Sequence, residues 1–219
     1  MATPPRYQDY VIQGGRFIGD FEGMYKNFDD PWHQSRKDHI FDSRRQLALL
    51  ACARLKDQHN VTSVIELGCG FGFLTEKLRE LGFKSIGTDI SPTAIQKAQE
   101  KNPNSRFEVA EYDDVSILNS FNPDIILMAE LTWYILDTLD EFLSGLRIYA
   151  QSRPKPTFLI HLLTTYKSGT QKYGTDKFTN LEEILEYFNM QYLEYGFIKT
   201  VRDDDPECQG TFFVAKIIY

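Results

Sequence analysis

The stretch Val64 to Leu78, VIELGCGFGFLTEKL, decides how the rest of the chain reads: a short apolar strand ends in an acidic residue and three glycines, and a helical pattern follows. Gly68, Gly70 and Gly72 have no side chain, so the backbone there can turn tightly and approach a ligand, while the next helix offers its N-terminal N–H groups. This is the outline of a nucleotide-type site, and its spacing narrows the ligand. A dinucleotide fingerprint, G-x-G-x-x-G, requires its third glycine at position 73 when counted from Gly68, and that residue is Phe73. The pattern present is E-x-G-x-G-x-G, with Glu66 two residues before the first glycine.

With 219 residues, 42% hydrophobic and 14% aromatic, the chain can bury a substantial core and reads as one domain. Residues 1–60 form an N-terminal arm and helix, 61–163 the ligand-binding core, and 164–219 a loop, a helix and a terminal hairpin. A net charge of −7 opposes a binder driven by nucleic-acid phosphates. MATPPRYQDY lacks signal-peptide architecture, and no apolar run approaches the ~20 residues of a membrane span, so a soluble cytoplasmic protein is expected. Cys52, Cys69 and Cys208 are odd in number and widely spaced, which indicates neither a disulfide framework nor a metal site. Cys69 reads as a packing residue in the loop.

Residues 1–35 are rich in aromatics and broken by Gly14, Gly15, Gly19 and Gly23, poor material for a long regular element. They form either a packing arm or a lid that keeps water from a reaction centre. From Ser35 to Lys56, Ile40, Leu47, Leu50 and Leu55 recur near helical spacing among Arg36, Lys37, Arg44, Arg45 and Arg54, a helix with a basic solvated face. Val61 to Glu66 is the first strand and Phe73 to Leu81 the next helix. Lys84 to Ile90 is a second strand ending in Asp89, 21 residues past Gly68, where a carboxylate can accept from both hydroxyls of a ribose. Ser91 and Pro92 then start a helix over Thr93 to Lys101. Phe107 to Ala110, Asp124 to Ala129 and Thr157 to Leu163 are further strands, with a helix over Leu139 to Ala150. This alternation implies a doubly wound α/β sheet with right-handed crossovers. A helix over Asn180 to Phe188 precedes two strands, Tyr192 to Arg202 and Thr211 to Tyr219, joined by the acidic turn Asp203 to Gly210 as a hairpin.

ELGCGFG, TDIS, AEYDD and DIILMAELTWYIL fall in the order found in class I S-adenosylmethionine-dependent methyltransferases, which the whole chain resembles. More narrowly, DPW at Asp30 to Trp32, SRKDHIFDSRR, DISPTAI and AELTWYIL resemble the nodulation-type N-methyltransferases that act on chito-oligosaccharide precursors. The resemblance implies a Rossmann-like sheet of seven strands, mostly parallel with an antiparallel C-terminal strand, and an N-terminal lid. It implies S-adenosyl-L-methionine as cofactor and S-adenosyl-L-homocysteine as product. The contacts would come from Glu66, Gly68, Cys69, Gly70 and Gly72 on the first motif, from Asp89 and Ile90, and from Glu111, Tyr112, Ala129 and Glu130, with Trp32 on the lid. Glu111 takes the adenine position by register, with Asp113 and Asp114 as alternatives.

Methyl transfer from a sulfonium is an in-line displacement, so the protein must align the partners, exclude water and handle the acceptor's proton. An amine needs only a neutral lone pair, whereas a hydroxyl wants a general base. The base candidates are His161, taken to lie at the carboxyl end of its strand, then Tyr134 and His33; His161 could equally be a satisfied core histidine. A small polar acceptor such as a sugar, an amino sugar or an activated polysaccharide precursor suits the limited chain left to build a pocket, with the protein acting as a monomer or homodimer. Two other readings stand beside this one: transfer to RNA or protein, and cofactor binding without catalysis.

Overall fold

Apolar runs set the strands, and the computed structural model, which describes residues 6–14, 16–34, 40–166, 173–199 and 209–218, shows how they assemble. The chain opens with an antiparallel pair, β1 (Ile12–Gln13) and β2 (Arg16–Phe17), the short helix α1 (Phe21–Asn27) and the long helix α2 (Ile40–His59). Alternation follows: β3 (Ser63–Leu67), α3 (Phe73–Glu80), β4 (Lys84–Asp89), α4 (Pro92–Lys101), β5 (Arg106–Val109), α5 (Val115–Phe121), β6 (Ile125–Ala129), α6 (Leu139–Gln151) and β7 (Phe158–Thr165). α7 (Leu181–Phe188), β8 (Gln191–Lys199) and β9 (Gln209–Lys216) complete it. Most of the expected acidic turn Asp203 to Gly210, with Cys208, lies outside the described residues, its last two positions opening β9, and so do the start of the second helix at 35–39 and the middle of the loop after β7.

The seven strands lie in the order β5-β4-β3-β6-β7-β9-β8, and β9 runs antiparallel to both its neighbours while the other pairings are parallel. This is the expected Rossmann-like sheet with its antiparallel C-terminal strand. β3 and β7 are buried along their full length, as central strands covered on both faces must be. Period-two alternation divides their side chains. Ile65, Leu67, Leu159 and Leu163 enter the core under α5, α6 and α7, and Val64, Ile160 and Leu162 enter the core under α2 and α3.

α5 was not expected from the sequence. Seven residues suffice because Asp114 caps its start, accepting from the Ser116 N–H at 2.8 Å, Ile117, Leu118 and Phe121 are buried, and Asn122 ends it in the left-handed conformation.

The solvated basic face expected for the second helix is corrected. Arg44 is only 1% exposed, whereas Leu50 is 51% exposed. Arg44, Ala48, Ala51, Cys52 and Leu55 form one stripe at helical spacing, so Arg44 occupies the N-terminal position of the face packed on the sheet. Its guanidinium pairs with Glu130 and donates to Thr164 Oγ1 at 2.8 Å. Room for it exists because β9 carries Gly210, where a Cβ would fall 2.4 Å from Arg44 Nε. Gly210→Ala is therefore expected to cost about 1–3 kcal/mol by overpacking. Gly145→Ala on α6 should be neutral or stabilising, since among the described residues nothing lies within 4 Å of its Cβ position. Denaturant melts of the two variants check this, and equal midpoints would remove the packing argument.

Candidate active site

β3 stops at Leu67, and Gly68, Gly70 and Gly72 all take positive φ, at 68°, 53° and 73°. Only glycine takes three such turns in five residues without strain. At Gly72 a Cβ would also meet the Phe107 ring at 2.2 Å. The loop is pinned from β4: the Cys69 N–H donates to the Thr88 carbonyl at 2.8 Å, and the Gly70 N–H donates to Asp89 Oδ2 at 3.0 Å. The other Asp89 oxygen accepts from the Ser91 N–H at 2.9 Å. Glu66 accepts from the N–H and hydroxyl of Thr75 in the first turn of α3, and both bonds fall on Oε2.

Two buried carboxylates thus stand on either side of the loop. Burial pushes Asp89 up to about 6 against the N–H bonds from Ser91 and Gly70, and pushes Glu66 up to about 7 against the two Thr75 bonds. In both, desolvation of the charged form outweighs the hydrogen bonds that favour it.

A cavity of about 1110 Å³ opens at the carboxyl ends of β3, β4 and β6, where ligands of doubly wound sheets bind. Glu66, Gly68, Cys69, Asp89, Ile90, Tyr112, Ala129 and Glu130 line it on the sheet side, and Trp32, His33 and Tyr134 line it opposite. Gly70 and Gly72, expected to touch the cofactor, are outside the lining: Gly70 anchors Asp89 through its N–H, and Gly72 makes room for Phe107. Glu111 is corrected as well. It is exposed, and its neighbours Ala110 and Tyr112 form that wall, because the chain leaves β5 with alternate residues facing the cavity. Asp114, the other acidic alternative with a visible role, caps α5.

His161 is the largest correction. β7 runs to Thr165, two residues beyond the expected end, so His161 lies mid-strand, 0% exposed and outside the cavity lining. Alternation turns it towards α7, between the rings of Phe213 and Phe188, with Nε2 bonded to the Thr132 hydroxyl at 2.6 Å. Burial, with Arg44 nearby, pushes it down to about 3, so it stays neutral and cannot reach an acceptor. Tyr134 does face the cavity, but burial pushes its phenol well above the ordinary value, so it can donate a hydrogen bond and does not serve as a phenolate base.

The N-terminal arm covers the loop. Gln34 Oε1 accepts from the Phe71 N–H at 2.8 Å, and the Gln34 amide and Tyr25 hydroxyl stand where a Cβ on Gly70 would be. α1 is joined to α4 at opposite ends. The Glu22 carboxylate accepts from Ser91 Oγ at 2.6 Å and the Thr93 N–H at 3.1 Å at the start of α4, and Lys97 donates to the Tyr25 and Phe28 carbonyls at the end of α1. Each charge sits at the helix end whose dipole favours it. Above the cavity the arm forms an aromatic wall: Trp32 lies 5.2 Å from Tyr7 and 5.7 Å from Tyr134, and Tyr134 lies 5.2 Å from Phe21.

Backbone strain marks the same place. Five non-glycine residues have positive φ among the described residues, and three are asparagines, which tolerate it. The other two, His33 and Glu130, both line the cavity. Glu130 follows β6, with its carboxylate held by the Thr164 N–H at 2.9 Å, the Thr164 hydroxyl at 3.1 Å and Arg44. Sequence reasoning missed Arg44, Gln34, Tyr25 and Thr164; of these only Arg44 left a signal, its place in the helical stripe.

Two acidic groups beside a glycine loop with no third phosphate-binding glycine suit a ligand with an ammonium and a ribose diol, as S-adenosylmethionine has. The nodulation protein S (NodS) family model matches residues 24–157, more than half of the chain. Among solved structures the chain is similar to N-methyltransferase NodS from Bradyrhizobium japonicum WM9 in complex with S-adenosyl-L-homocysteine, with 19% identity and TM-score 0.63 over 89% of this chain and 97% of that one. It is also similar to magnesium protoporphyrin IX methyltransferase from Synechocystis PCC 6803 with bound SAH, with 15% identity and TM-score 0.53 over 83% and 89%. TehB from Haemophilus influenzae gives 16% identity and TM-score 0.57 over 85% and 66%. No curated protein matches the sequence. At these identities the structural likeness speaks for the fold, and the family match carries membership. The chain belongs to the nodulation protein S family of class I S-adenosylmethionine-dependent methyltransferases.

Proposed function

We propose that this methyltransferase acts in the cytoplasm on a nitrogen of a small polar acceptor, an amino sugar or a related amine that serves as a precursor of a cell-surface polysaccharide. The observation that carries this is Glu130: a carboxylate oriented by three donors beneath an aromatic wall, with His161 out of reach as a general base. The bound cofactor supplies an electrophilic methyl group. The chain's part is positional. Glu66 takes the ammonium of the aminoacyl end, Asp89 accepts from the ribose hydroxyls, and Ile90 and Tyr112 offer apolar surface to the base. Glu130 accepts a hydrogen bond from the amine, fixing the direction of its lone pair, and faces the positive charge that nitrogen acquires. The arm excludes water from the cavity and supplies rings on which a sugar or ammonium face can rest.

Methyl-transfer assays with matched pairs, glucosamine against glucose and the deacetylated glucosamine dimer against the acetylated one, test the reading. Transfer to the amines is expected; methylation of the hydroxyl-only members alone would overturn it.

The two acids make donor binding pH-dependent. Both have folded-state values raised above the usual carboxylate range, to about 7 for Glu66 and about 6 for Asp89, so they cost stability once ionised in the empty protein. This cost is absent below about pH 4, develops between there and those values, and is complete above them. Ligand ammonium and hydroxyl groups favour the ionised forms, so binding releases protons. S-adenosylmethionine affinity is expected to rise from pH 5.5 to a plateau near 8, with calorimetric heats that depend on the buffer's ionisation enthalpy. A flat affinity over that range would show that the pair is already ionised when empty.

A further inference from the structure

The connection that follows β6 is fastened to β7 at successive points. The Glu130 N–H donates to the Leu162 carbonyl at 2.8 Å, its carboxylate accepts from Thr164, and the Trp133 indole N–H donates to the Thr164 carbonyl at 2.8 Å. Between these, Thr132 begins a 3-10 turn, Thr132–Tyr134, and is 0% exposed, its hydroxyl 2.6 Å from His161 Nε2. Two residues on, Tyr134 faces the cavity.

We propose that His161 is a positioning residue, which holds Thr132 from behind the site and so fixes the turn that presents Tyr134 to the acceptor. Its ring cannot swing away, since Phe213 stacks on it with centroids 4.7 Å apart and 17° between planes, and Phe188 closes another side at 4.8 Å. Among the described residues Nδ1 has no partner. A buried N–H without an acceptor costs more than a bare lone pair, which places the proton on Nε2, donating to Thr132. The Thr132 hydroxyl then has its own proton left for another acceptor, and the histidine does no proton transfer. A phenylalanine there would fill the space and leave the Thr132 hydroxyl without this partner.

The role rests on the proposed reading that the acceptor enters the cavity that Tyr134 faces, but its test needs no acceptor. The chain has two tryptophans, Trp32 and Trp133, so indole nitrogen labelling gives two resolved N–H signals. His161→Ala and Thr132→Val are each expected to shift the Trp133 signal and speed its exchange with solvent at least tenfold, while S-adenosylmethionine affinity by calorimetry changes less than threefold. His161→Gln, whose amide nitrogen reaches about the Nε2 position, should stay within threefold of the parent exchange rate. In the unsubstituted protein, imidazole nitrogen spectra should show the Nε2–H tautomer unchanged from pH 6 to 8, which serves even where the alanine variant does not fold. An unmoved Trp133 signal in Thr132→Val, an imidazole that titrates in that range, or a glutamine variant as perturbed as alanine would each overturn the role. Methylation of the wrong acceptor class would instead count against the proposed substrate and leave these spectra as they are.

Discussion

Replacing Asp89 by alanine is expected to weaken S-adenosylmethionine binding at least a hundredfold, with the fold retained. The carboxylate carries two duties. Its oxygens fix the loop by accepting from the Gly70 and Ser91 N–H groups, and each has a further lone pair for a ligand hydroxyl. A hydrogen bond to a charged group contributes about 1.5–3 kcal/mol, so two lost ribose bonds alone reach the ~2.7 kcal/mol that a hundredfold represents. Stability should suffer less than affinity, because an Asp89 pushed up to about 6 by burial already costs the empty protein free energy above neutral pH. Asp89→Asn separates the duties: it keeps the shape but turns one acceptor into a donor, and a loss of tenfold or more is expected. Isothermal titration with S-adenosylmethionine, and with NAD as a control that should give no heat, decides the matter. A dissociation constant within threefold of the parent for the alanine variant would rule out the ribose role.

How far the sequence could be read depends on whether a residue's role is set by its near neighbours. The glycine loop, Asp89 and Ser91 were legible because their meaning lies within a strand, a turn and the first residues of a helix; the pattern E-x-G-x-G-x-G states that geometry directly. Arg44 was illegible as a buried charge because its partners are remote: Thr164 is 120 positions away, and the space it needs is opened by Gly210 on the far strand. His161 failed for a smaller reason. A strand end misplaced by two residues moves a side chain from the ligand rim to the interior, and the period of two then sends it to the opposite face. Glu111 failed by the same period: an exposed acidic residue beside two cavity-lining neighbours cannot be told from the converse without knowing which way the chain leaves β5. Trp32 and His33 carry a different lesson. The DPW resemblance pointed to this region, and both line the cavity, but what holds the arm there is Glu22 of α1, bonded to the start of α4, and Lys97 of α4, which no motif signals.

Glu130→Gln is expected to lower the turnover of an amine acceptor at least a hundredfold while donor affinity stays within threefold. The substitution keeps the size and one of the two oxygens that accept from Thr164, but removes the negative charge that would face the nitrogen as it becomes cationic. Loss of one preorganised electrostatic contact of this kind costs about 10²–10³ in rate. A structural objection arises at once, because the buried Arg44 loses its ion pair with Glu130: breaking a buried pair by removing one member costs up to about 3–5 kcal/mol. Removing both charges answers it. Since a buried pair replaced by uncharged groups of similar volume is often neutral in stability, Arg44→Met combined with Glu130→Gln should regain most of the lost melting temperature. Turnover should stay low in that double variant if the carboxylate acts on the acceptor, and should return with stability if Glu130 matters only as the partner of Arg44. Rates at saturating donor, read beside thermal melts of the three proteins, separate the two cases, since the electrostatic contribution and the folding contribution then move in different variants.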